Sequence, residues 1–550
     1  MIVMSDKRRI LVTSALPYAN GSIHLGHLVE YIQTDVWARF QKMRGHECVY
    51  ICADDTHGTP IMLSAQKQGI TPEELIEKVH VEHQADFAAF HVEFDTYHTT
   101  HCDENKELSE LIYNRAKAAG AICEKDIEQL YDEEAGMFLP DRFVKGECPK
   151  CEAKEQYGDS CEVCSATYSP KDLVEPVSVV SGQKPVLRHS NHIFFKLSDY
   201  EGFLQEWFKQ DPVHEGLKKK LNEWFESGLK DWDISRDAPY FGFKIPGTDD
   251  KYFYVWVDAP VGYMASTKKW CETNGGDFDS IWVNGDYEIH HFIGKDILYF
   301  HTLFWPVMLH VAEFQTPHHV HVHGFLTVNG EKMSKSRGTF ILASSYLEQG
   351  LNPEYLRYYY ASKLSASVED IDLNFDDFIQ RVNSDVVNKF VNIGSRLGAI
   401  VRKKLDLKLS TPDAEGETLL AEMRQSIPVV ADLYDARETN KAMREIMRLA
   451  DLANQYIDQK APWTVVKTDE EHARAICTSG LNALAILSGL LSPVMPVLSS
   501  KVASFLGITD TIWDAIGTLI SDREIAPFER MADRVDADQV ASLTCTPKTA

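Results

Sequence analysis

Apolar residues change their spacing several times along the chain, and those changes divide it. Ile10, Leu11 and Val12 form a short continuous run, Pro17, Asn20 and Gly21 break it, and Leu25, Leu28, Val29, Ile32, Val36 and Phe40 then recur at helical spacing. The pattern predicts a strand, a tight loop and a helix that Gly45 is placed to terminate. Cys48 to Ala53 reads as a second buried strand, helical patterns follow near 59–69, 72–90 and 103–119, and a strand-like Phe94 to Thr99 separates the last two. Strands alternating with helices predict the α/β class with a doubly wound parallel sheet of Rossmann type.

From about 123 to 245 the alternation fails, which marks an insertion. It resumes with the aromatic run Tyr252 to Met264, either a core strand or a pocket wall, and with a strand at Ile289 to Ile293. That strand leads through Gly294, Lys295 and Asp296 into a helix carrying Ile297, Tyr299 and His301. Beyond about 345 the pattern is almost wholly helical, near 353–363, 375–403, 416–458 and 470–490, and predicts an all-α helical bundle. The expected division is a first Rossmann half over 1–122, the insertion over 123–245 with a small knuckle near 145–168, and a second half over 246–328. A loop and connector follow over 329–385, then the helical domain over 386–527 and a loosely packed tail over 528–550.

Composition narrows the class. A chain of 550 residues is too long for one core and divides into about three or four domains. Met1 to Arg9 lacks the apolar core of an export signal. The longest apolar stretch, Leu481 to Leu498, contains Asn482, Gly489, Pro493 and Pro496 and reads as a buried helix and its exit. A cytoplasmic location and no membrane partner are therefore expected. Eleven cysteines in such a chain point to thiols or metal ligands rather than a disulfide framework. The net charge of −26 disfavours nucleic acid unless basic residues gather locally. Lys218 to Lys220, Lys332 to Arg337 and Arg402 to Lys408 are the candidate patches, though such a run is more often just a solvated face.

Chemistry enters at the first strand–loop–helix junction. Helix N–H groups there face whatever lies beyond the strand's carboxyl end, a ready site for phosphate. His24 and His27 share a helix face, and Gly26 between them admits a ligand close to the backbone. Gly21 and Gly26 have the glycine spacing of a P-loop, but His27 and Leu28 stand where Lys and Ser or Thr are required. Far downstream, Lys332-Met-Ser-Lys335-Ser336 lies between Gly330 and Gly338, either a mobile cationic clamp or a solvated basic loop.

Asp54 and Asp55 end the second strand, where a carboxylate either meets a ligand or caps the next helix. Cys148, Cys151, Cys161 and Cys164 form two Cys-x-x-Cys pairs at short separation, the signature of a structural four-thiolate zinc site with no open position for substrate. His319, His321 and His323 alternate with Val320 and Val322 on one strand face. No carboxylate or cysteine cluster accompanies them, so a half-buried strand entering the Lys332 loop is expected rather than a metal site.

His24-Leu-Gly-His27 and Lys332-Met-Ser-Lys-Ser336, in this order, resemble the two signatures of class I aminoacyl-tRNA synthetases. The second matches in full, and the first differs only in Leu for Ile at position 25. The stretches Ala15 to Gly21, Cys52 to Gly58, Asp231 to Phe243, Tyr254 to Tyr263, Phe292 to Ile297 and Ala461 to Trp463 are similar to methionyl-tRNA synthetases of the bacterial type with a single zinc knuckle. The similarity runs over essentially the whole chain.

The resemblance implies a ligase that converts methionine and ATP, with Mg2+, to methionyl-adenylate and pyrophosphate. It then esterifies the 3'-terminal ribose of tRNA(Met), initiator and elongator. It implies His24, His27, Lys332 and Lys335 as the catalytic set, with Gly26, Gly294, Lys295, Asp296, His323 and Ser334 also on ATP. No general base is needed, because a carboxylate is already a nucleophile; catalysis would be positioning and charge stabilisation. Methionine would lie among Ala15, Leu16, Tyr18, Asp55, Trp256, Ala259, Pro260, Tyr263, Ile297 and His301, with Asp55 on its amino group.

Asn392, Arg396 and Trp463 match anticodon positions, and the 329–385 connector matches the region that meets the tRNA stem. Synthetases for Ile, Val and Leu carry a much larger editing insertion than 123–245. A simple nucleotidyltransferase would have no use for the helical half, and a non-catalytic tRNA scaffold would not need intact His24, His27, Lys332 and Lys335. Many relatives continue into a dimerisation domain that does not follow Ala550 here, so a monomer is expected.

Overall fold

The computed structural model describes residues 7–140, 143–158, 161, 163–164, 166, 168–334 and 339–544. Strands β1 (Arg9–Ser14), β2 (Glu47–Asp54), β3 (Thr96–Thr99), β4 (Glu288–Gly294) and β5 (His319–His323) form one sheet, all parallel, in the order β5-β4-β1-β2-β3. Helices α1 (Leu25–Met43), α2 (Thr59–Gln68), α3 (Pro72–Ala89) and α4 (Asp103–Ala118) fill the crossovers of the first half.

The period of two along each strand splits the core into two layers. Ile10, Val12, Cys48, Tyr50 and Cys52 pack on the α1 side, while Leu11, Val49 and Ile51 meet Leu108 and Ile112 of α4 on the other. Both faces are covered, so the strands read as continuous apolar runs.

The insertion begins as an antiparallel ribbon, Ile122–Asp132 against Val186–Phe195, with a cysteine knuckle hung from its far end. Two helices, Glu201–Phe208 and Glu215–Ser227, then return it to the sheet edge, where the Trp207 indole donates to the Pro317 carbonyl at 3.2 Å. The aromatic run resolves as a short strand, Lys251–Phe253, followed by a helical turn, Val255–Asp258, and α5 (Val261–Asn274). It is a helical wall rather than a core strand.

The helical part departs from its pattern in two places. The expected helix over 416–458 is two helices, Ala414–Asp435 and Thr439–Lys460, because the chain reverses at Arg437 with φ of 59°. Of the segment expected as a loose tail, 528–544 is packed, and 545–550 lie outside the described residues. Phe528 lies against Gly394 and Gly398, Met531, Val535, Val540 and Leu543 are buried, and the Asn383 amide pairs with both backbone groups of Val535 at 2.8 and 3.0 Å. Its apolar residues are separated by charges at irregular intervals, so no period announced it.

Among the described residues one helix, Glu470–Leu491, is long and apolar enough to cross a membrane, and 78% of its apolar window is buried at the centre of the bundle. The histidines of β5 also find packing partners: His321 lies against Trp37 of α1, and its Nε2 is 3.0 Å from His290 Nδ1 on β4.

Candidate active site

Connections leave β1 and β4 in opposite directions, so their carboxyl ends open the crevice where α/β sheets bind ligands. Ala15 closes its floor, with its N–H on the Phe292 carbonyl at 3.0 Å and its own carbonyl accepting from the Tyr31 hydroxyl at 2.8 Å.

His24 is the N-cap of α1. Its Nδ1 accepts from the backbone N–H groups of Gly26 and His27 at 3.1 and 3.3 Å, and the His27 Nδ1 accepts from the His24 N–H at 3.4 Å. The rings stack with centroids 3.6 Å apart. This corrects one expectation. Leu25 N–H bonds the Ile341 carbonyl and Leu28 N–H the His24 carbonyl, so the first-turn amides are engaged within the protein and do not face a phosphate. The same bonds put the ring hydrogen of both histidines on Nε2, a donor suited to a phosphate oxygen. Burial and the neighbouring His24 hold His27 well below the ordinary imidazole pKa, which keeps it neutral.

The second signature lies over this helix start. Lys332 ends a short strand, Glu331–Lys332, paired with Leu326–Val328, and its side chain is exposed. The Thr339 hydroxyl accepts from the Ser334 N–H at 2.9 Å and donates to the Lys332 carbonyl at 2.8 Å, tying the loop's two arms together. A Cβ on Gly26 would stand 3.2 Å from the Met333 sulfur, so only glycine allows this approach without displacement. Lys335 lies outside the described residues.

Gly294, Asp296 and His323 converge on the β4 side of the crevice. A Cβ on Gly294 would fall 2.6 Å from Asp296 Oδ1 and 3.8 Å from the His323 ring. Lys295 is turned away: its ammonium bonds Asp370 at 2.5 Å and lies over the Phe325 ring. Glu30 of α1, missed in the sequence, joins this group. Its Oε2 is 3.2 Å from His323 Nε2, while its buried Oε1 has no partner among the described residues. Burial pushes its carboxyl up and His323 pulls it partly back. A carboxylate inside the apolar face of α1, between Val29 and Tyr31, was the signal.

On the β2 side, neither aspartate caps α2, whose N-cap is Gly58 without a side-chain bond. Asp54 accepts from His80 Nδ1 at 2.5 Å, His83 Nδ1 at 2.6 Å and the Tyr97 hydroxyl at 2.6 Å. Asp55 is buried and its Oδ1 is without a partner among the described residues. Burial, followed by repulsion from Asp258, holds it well above the ordinary carboxylate range. Such a group lacks a cation. Tyr18, Ala15 and Leu16 approach from the β1 loop, where Tyr18 bridges to Asp55.

Trp256, Ala259, Pro260 and Tyr263 fall on successive turns of the helical wall. The Tyr263 hydroxyl and His301 Nε2 are 2.8 Å apart, and His301 Nδ1 donates to the Ile297 carbonyl at 3.1 Å, so Nε2 accepts from the tyrosine. Burial lowers the His301 pKa to about 4. Trp256 stacks on Phe300 with centroids 3.9 Å apart, a partner absent from the sequence reading. The wide π-helical turn of Phe300–Phe304 carries it onto that face, against the 3.6-residue period.

The four knuckle sulfurs all lie within 4.8 Å of one another, with Cys151–Cys161 at 3.5 Å and Cys148–Cys164 at 3.8 Å. A zinc tetrahedron with Zn–S bonds of about 2.3 Å has edges of about 3.8 Å, whereas a disulfide would bring two sulfurs to about 2.05 Å. The donor set fits zinc. Among the described residues the knuckle's buried apolar cluster is Cys148, Cys161 and Ala166, too small a core to hold it without a metal.

On the bundle surface, Arg396 lies over the Trp463 ring at 4.7 Å and pairs with Asp458, and Asn392 stands one helical turn before it. Trp463 is 40% exposed.

Family models match nearly the whole of this architecture: that for tRNA synthetases class I (M) covers residues 10–398, and that for the anticodon binding domain of methionyl tRNA ligase covers 409–531. Among solved structures, Mycobacterium tuberculosis methionyl-tRNA synthetase in complex with methionyl-adenylate superposes with a TM-score of 0.80 at 25% identity, over 95% of this chain and 99% of that one. A second structure of that enzyme bound by methionyl-adenylate gives 0.79 at 23%, over 95% and 99%. Its apo form gives 0.73 at 23%, over 97% and 99%; at these identities the likeness is one of fold. The chain belongs to the class I tRNA synthetases (M), with the anticodon binding domain of methionyl tRNA ligase following the catalytic part.

Proposed function

We propose that the crevice joins methionine to ATP as methionyl-adenylate and passes it to tRNA(Met), the reaction of a methionine–tRNA ligase. The observation that carries the reading is a juxtaposition: Met333 of the second signature lies over Gly26 of the first, and the loop that leads into α1 pairs through Tyr18 and Ala19 with Asp55, whose buried Oδ1 has no partner among the described residues.

Methionine supplies that cation in its ammonium group. Its side chain then points along the helical wall of Trp256, Ala259, Pro260 and Tyr263, closed by Ile297 and His301. Sulfur packs well against aromatic rings. The Tyr263–His301 pair, held neutral by burial, offers polar contact without charge. ATP lies across the β1–β4 opening, its phosphates on the Nε2–H groups of His24 and His27 and its ribose at Gly294, Asp296, His323 and Glu30. Lys332, Ser334 and Lys335 close over the triphosphate with Mg2+. The methionine carboxylate attacks the α-phosphorus, the bond to the bridging oxygen breaks, and pyrophosphate leaves. Every contact acts by placement or charge. Lys295, held by Asp370, has no part in this arrangement as it stands.

Zinc in the knuckle would be held by Cys148, Cys151, Cys161 and Cys164 and would supply structure alone, since its ligand shell is closed. Bases of the anticodon loop, initiator or elongator, stack at Trp463 and Arg396 beside Asn392, which is how unpaired bases are commonly read. One chain carries all these groups, as a cytoplasmic monomer requires.

The test is amino-acid-dependent exchange of labelled pyrophosphate into ATP, without tRNA, across the twenty standard amino acids. Methionine alone should support it. Exchange with another amino acid would overturn the pocket, and no exchange at all would overturn the adenylation. Metal analysis of Cys148→Ser should show loss of zinc; unchanged zinc would refute the ligand set.

A further inference from the structure

Among the described residues, metal-ligating side chains converge in two places: the four-cysteine knuckle, and His98, Cys102 and Glu104. We propose that His98, Cys102 and Glu104 form a second metal site, for a thiophilic divalent cation of the zinc type, on the loop that backs the β2 end of the crevice.

The three residues come from two rigid elements. His98 lies near the carboxyl end of β3, Cys102 is the N-cap of α4, and Glu104 is in its first turn. Helix starts ordinarily carry Ser, Thr, Asp or Asn at the cap, so a cysteine there invites a reason. The His98 Nε2, Cys102 Sγ and one Glu104 oxygen all lie within 4.8 Å of one another.

The edge from His98 Nε2 to Glu104 Oε2 is 3.6 Å. That exceeds hydrogen-bond length, but it matches the roughly 3.4 Å edge of a tetrahedron with metal–ligand bonds of about 2.1 Å. His98 Nε2 is sealed from solvent and has no hydrogen-bond partner among the described residues. A buried ring nitrogen in that state carries a desolvation cost that a metal bond removes. The other Glu104 oxygen faces the Lys269 ammonium at 3.8 Å, so Glu104 offers the metal a single oxygen.

One imidazole, one thiolate and one carboxylate leave the fourth tetrahedral position to water, as at zinc sites with three protein ligands. On binding, the Cys102 S–H bond breaks, a sulfur–metal bond forms, and the proton goes to solvent. The site's neighbours give it reach. Between His98 and Cys102 lie Thr100 and His101. The Thr100 hydroxyl accepts from the Thr56 N–H at 3.0 Å, and His101 Nδ1 is 2.9 Å from His57 Nε2, whose other nitrogen pairs with Asp258. Thr56 and His57 directly follow Asp55.

The test is a titration of the full chain, its knuckle loaded with zinc, with Zn2+ alone and, in parallel, with Co2+ followed by its thiolate charge-transfer absorption. The parent should take up a second equivalent with release of one proton, and the cobalt band should appear. Cys102→Ser keeps a favoured N-cap and should fold. It should retain the first equivalent, lose the second, and show no added band, while His98→Gln should weaken the second at least tenfold. A parent that stops at one equivalent, or a Cys102→Ser variant that binds two as the parent does, overturns the site whatever the outcome for amino-acid activation.

Discussion

Arg357 is the side chain whose loss should divide stability from chemistry most cleanly. It is fully buried, and its guanidinium donates to Val494 O at 2.8 Å, Phe90 O at 3.2 Å, His91 O at 3.1 Å, Pro493 O at 3.0 Å and Asp35 Oδ2 at 2.6 Å. Three elements meet on it: α1 through Asp35, the turn after α3, and the bundle at 493–494. Arg357→Met fills the space but leaves the carbonyls of Phe90, Pro493 and Val494 and part of one carboxylate without its donor, while the His91 carbonyl keeps Arg39 at 2.9 Å. Breaking a buried pair by removing one partner costs about 3–5 kcal/mol. Asp35 keeps Arg39 at 2.7 Å and the Glu93 N–H at 2.9 Å, which argues for the lower end from the ion pair, while the orphaned carbonyls push the total upward.

A chain of several domains has no single unfolding free energy. The assay is therefore native-state hydrogen exchange, read at the amides of 353–363 and 491–496. Their opening free energy should fall by about 3–5 kcal/mol, with knuckle amides unchanged. tRNA charging should fall more than pyrophosphate exchange. A fall below about 1 kcal/mol, within the range of ordinary surface substitutions, would show that the junction is held by its apolar contacts and that the guanidinium is replaceable.

Asp55→Asn removes the charge proposed to meet the methionine ammonium, and a bond to a charged group is worth about 1.5–3 kcal/mol. Its kcat/KM for methionine in pyrophosphate exchange should drop roughly 10- to 150-fold with the KM for ATP little changed; an equal rise in both KM values would deny the pairing. Trp463→Ala should raise the KM for tRNA roughly 5- to 150-fold, the value of about 1–3 kcal/mol for one stacked base, and leave pyrophosphate exchange untouched. Charging at the parent's efficiency would remove Trp463 from the interface. The Asp54–His83 pair gives a pH prediction. Burial alone would lower the His83 pKa, but Asp54 and the Gly21 carbonyl raise it overall; burial alone would raise Asp54, but His80 and His83 bring it below its ordinary value. The His83 contribution is therefore complete below about pH 6.5 and lost as pH rises through its raised value, and that of Asp54 is complete above about pH 3.9 and lost as pH falls through its lowered one. Thermal midpoints of His83→Gln should lie furthest below the parent between about pH 4 and 6.5 and approach it in alkali. A constant gap to pH 9 would show that His83 acts without its charge.

What could be read in the sequence was local or repeated. The alternation that gives the sheet, the two Cys-x-x-Cys pairs and the two signatures each depend on residues close in the chain; the sheet, the cysteine cluster and the His24–His27 helix start appear where their spacing put them. What could not be read depends on what a side chain meets across the fold. The first-turn amides of α1 looked available for a phosphate because nothing in the sequence says that the His24 ring bends back to accept two of them, or that Ile341 takes a third. Lys295, given to ATP by resemblance, pairs with Asp370, a partner 75 residues on that nothing in the sequence announces. Phe300 was hidden by a π-helical turn that breaks the expected period, and the segment 528–544 by the irregular spacing of its apolar residues.

The same distinction explains why α1 holds buried polar residues that a two-faced helix would not need. At its start His24 and His27 form the cap beneath the Met333 loop. One turn on, Glu30 meets His323. Asp35 receives Arg357 and Arg39. Near its end the Trp37 indole donates to the Asp435 carbonyl at 3.2 Å, the Gln41 amide to Asp435 Oδ1 at 2.7 Å, and Phe40 stacks on Tyr434 with Trp513 at its edge. The levels bond to different parts of the molecule, Glu30 to β5, Asp35 to Arg357 and the last turns to Asp435, and together they run from the crevice to the bundle. A helix gripped at four levels cannot tilt at one end without straining the other. The polar residues on its apolar face therefore fix its register against both domains, so that the histidines stay placed over the crevice while the bundle bears on the helix's far end. Loss of Asp35's partner should loosen the middle of that grip, which is why charging, the step that needs both ends in place, is expected to suffer more than adenylation when Arg357 is changed.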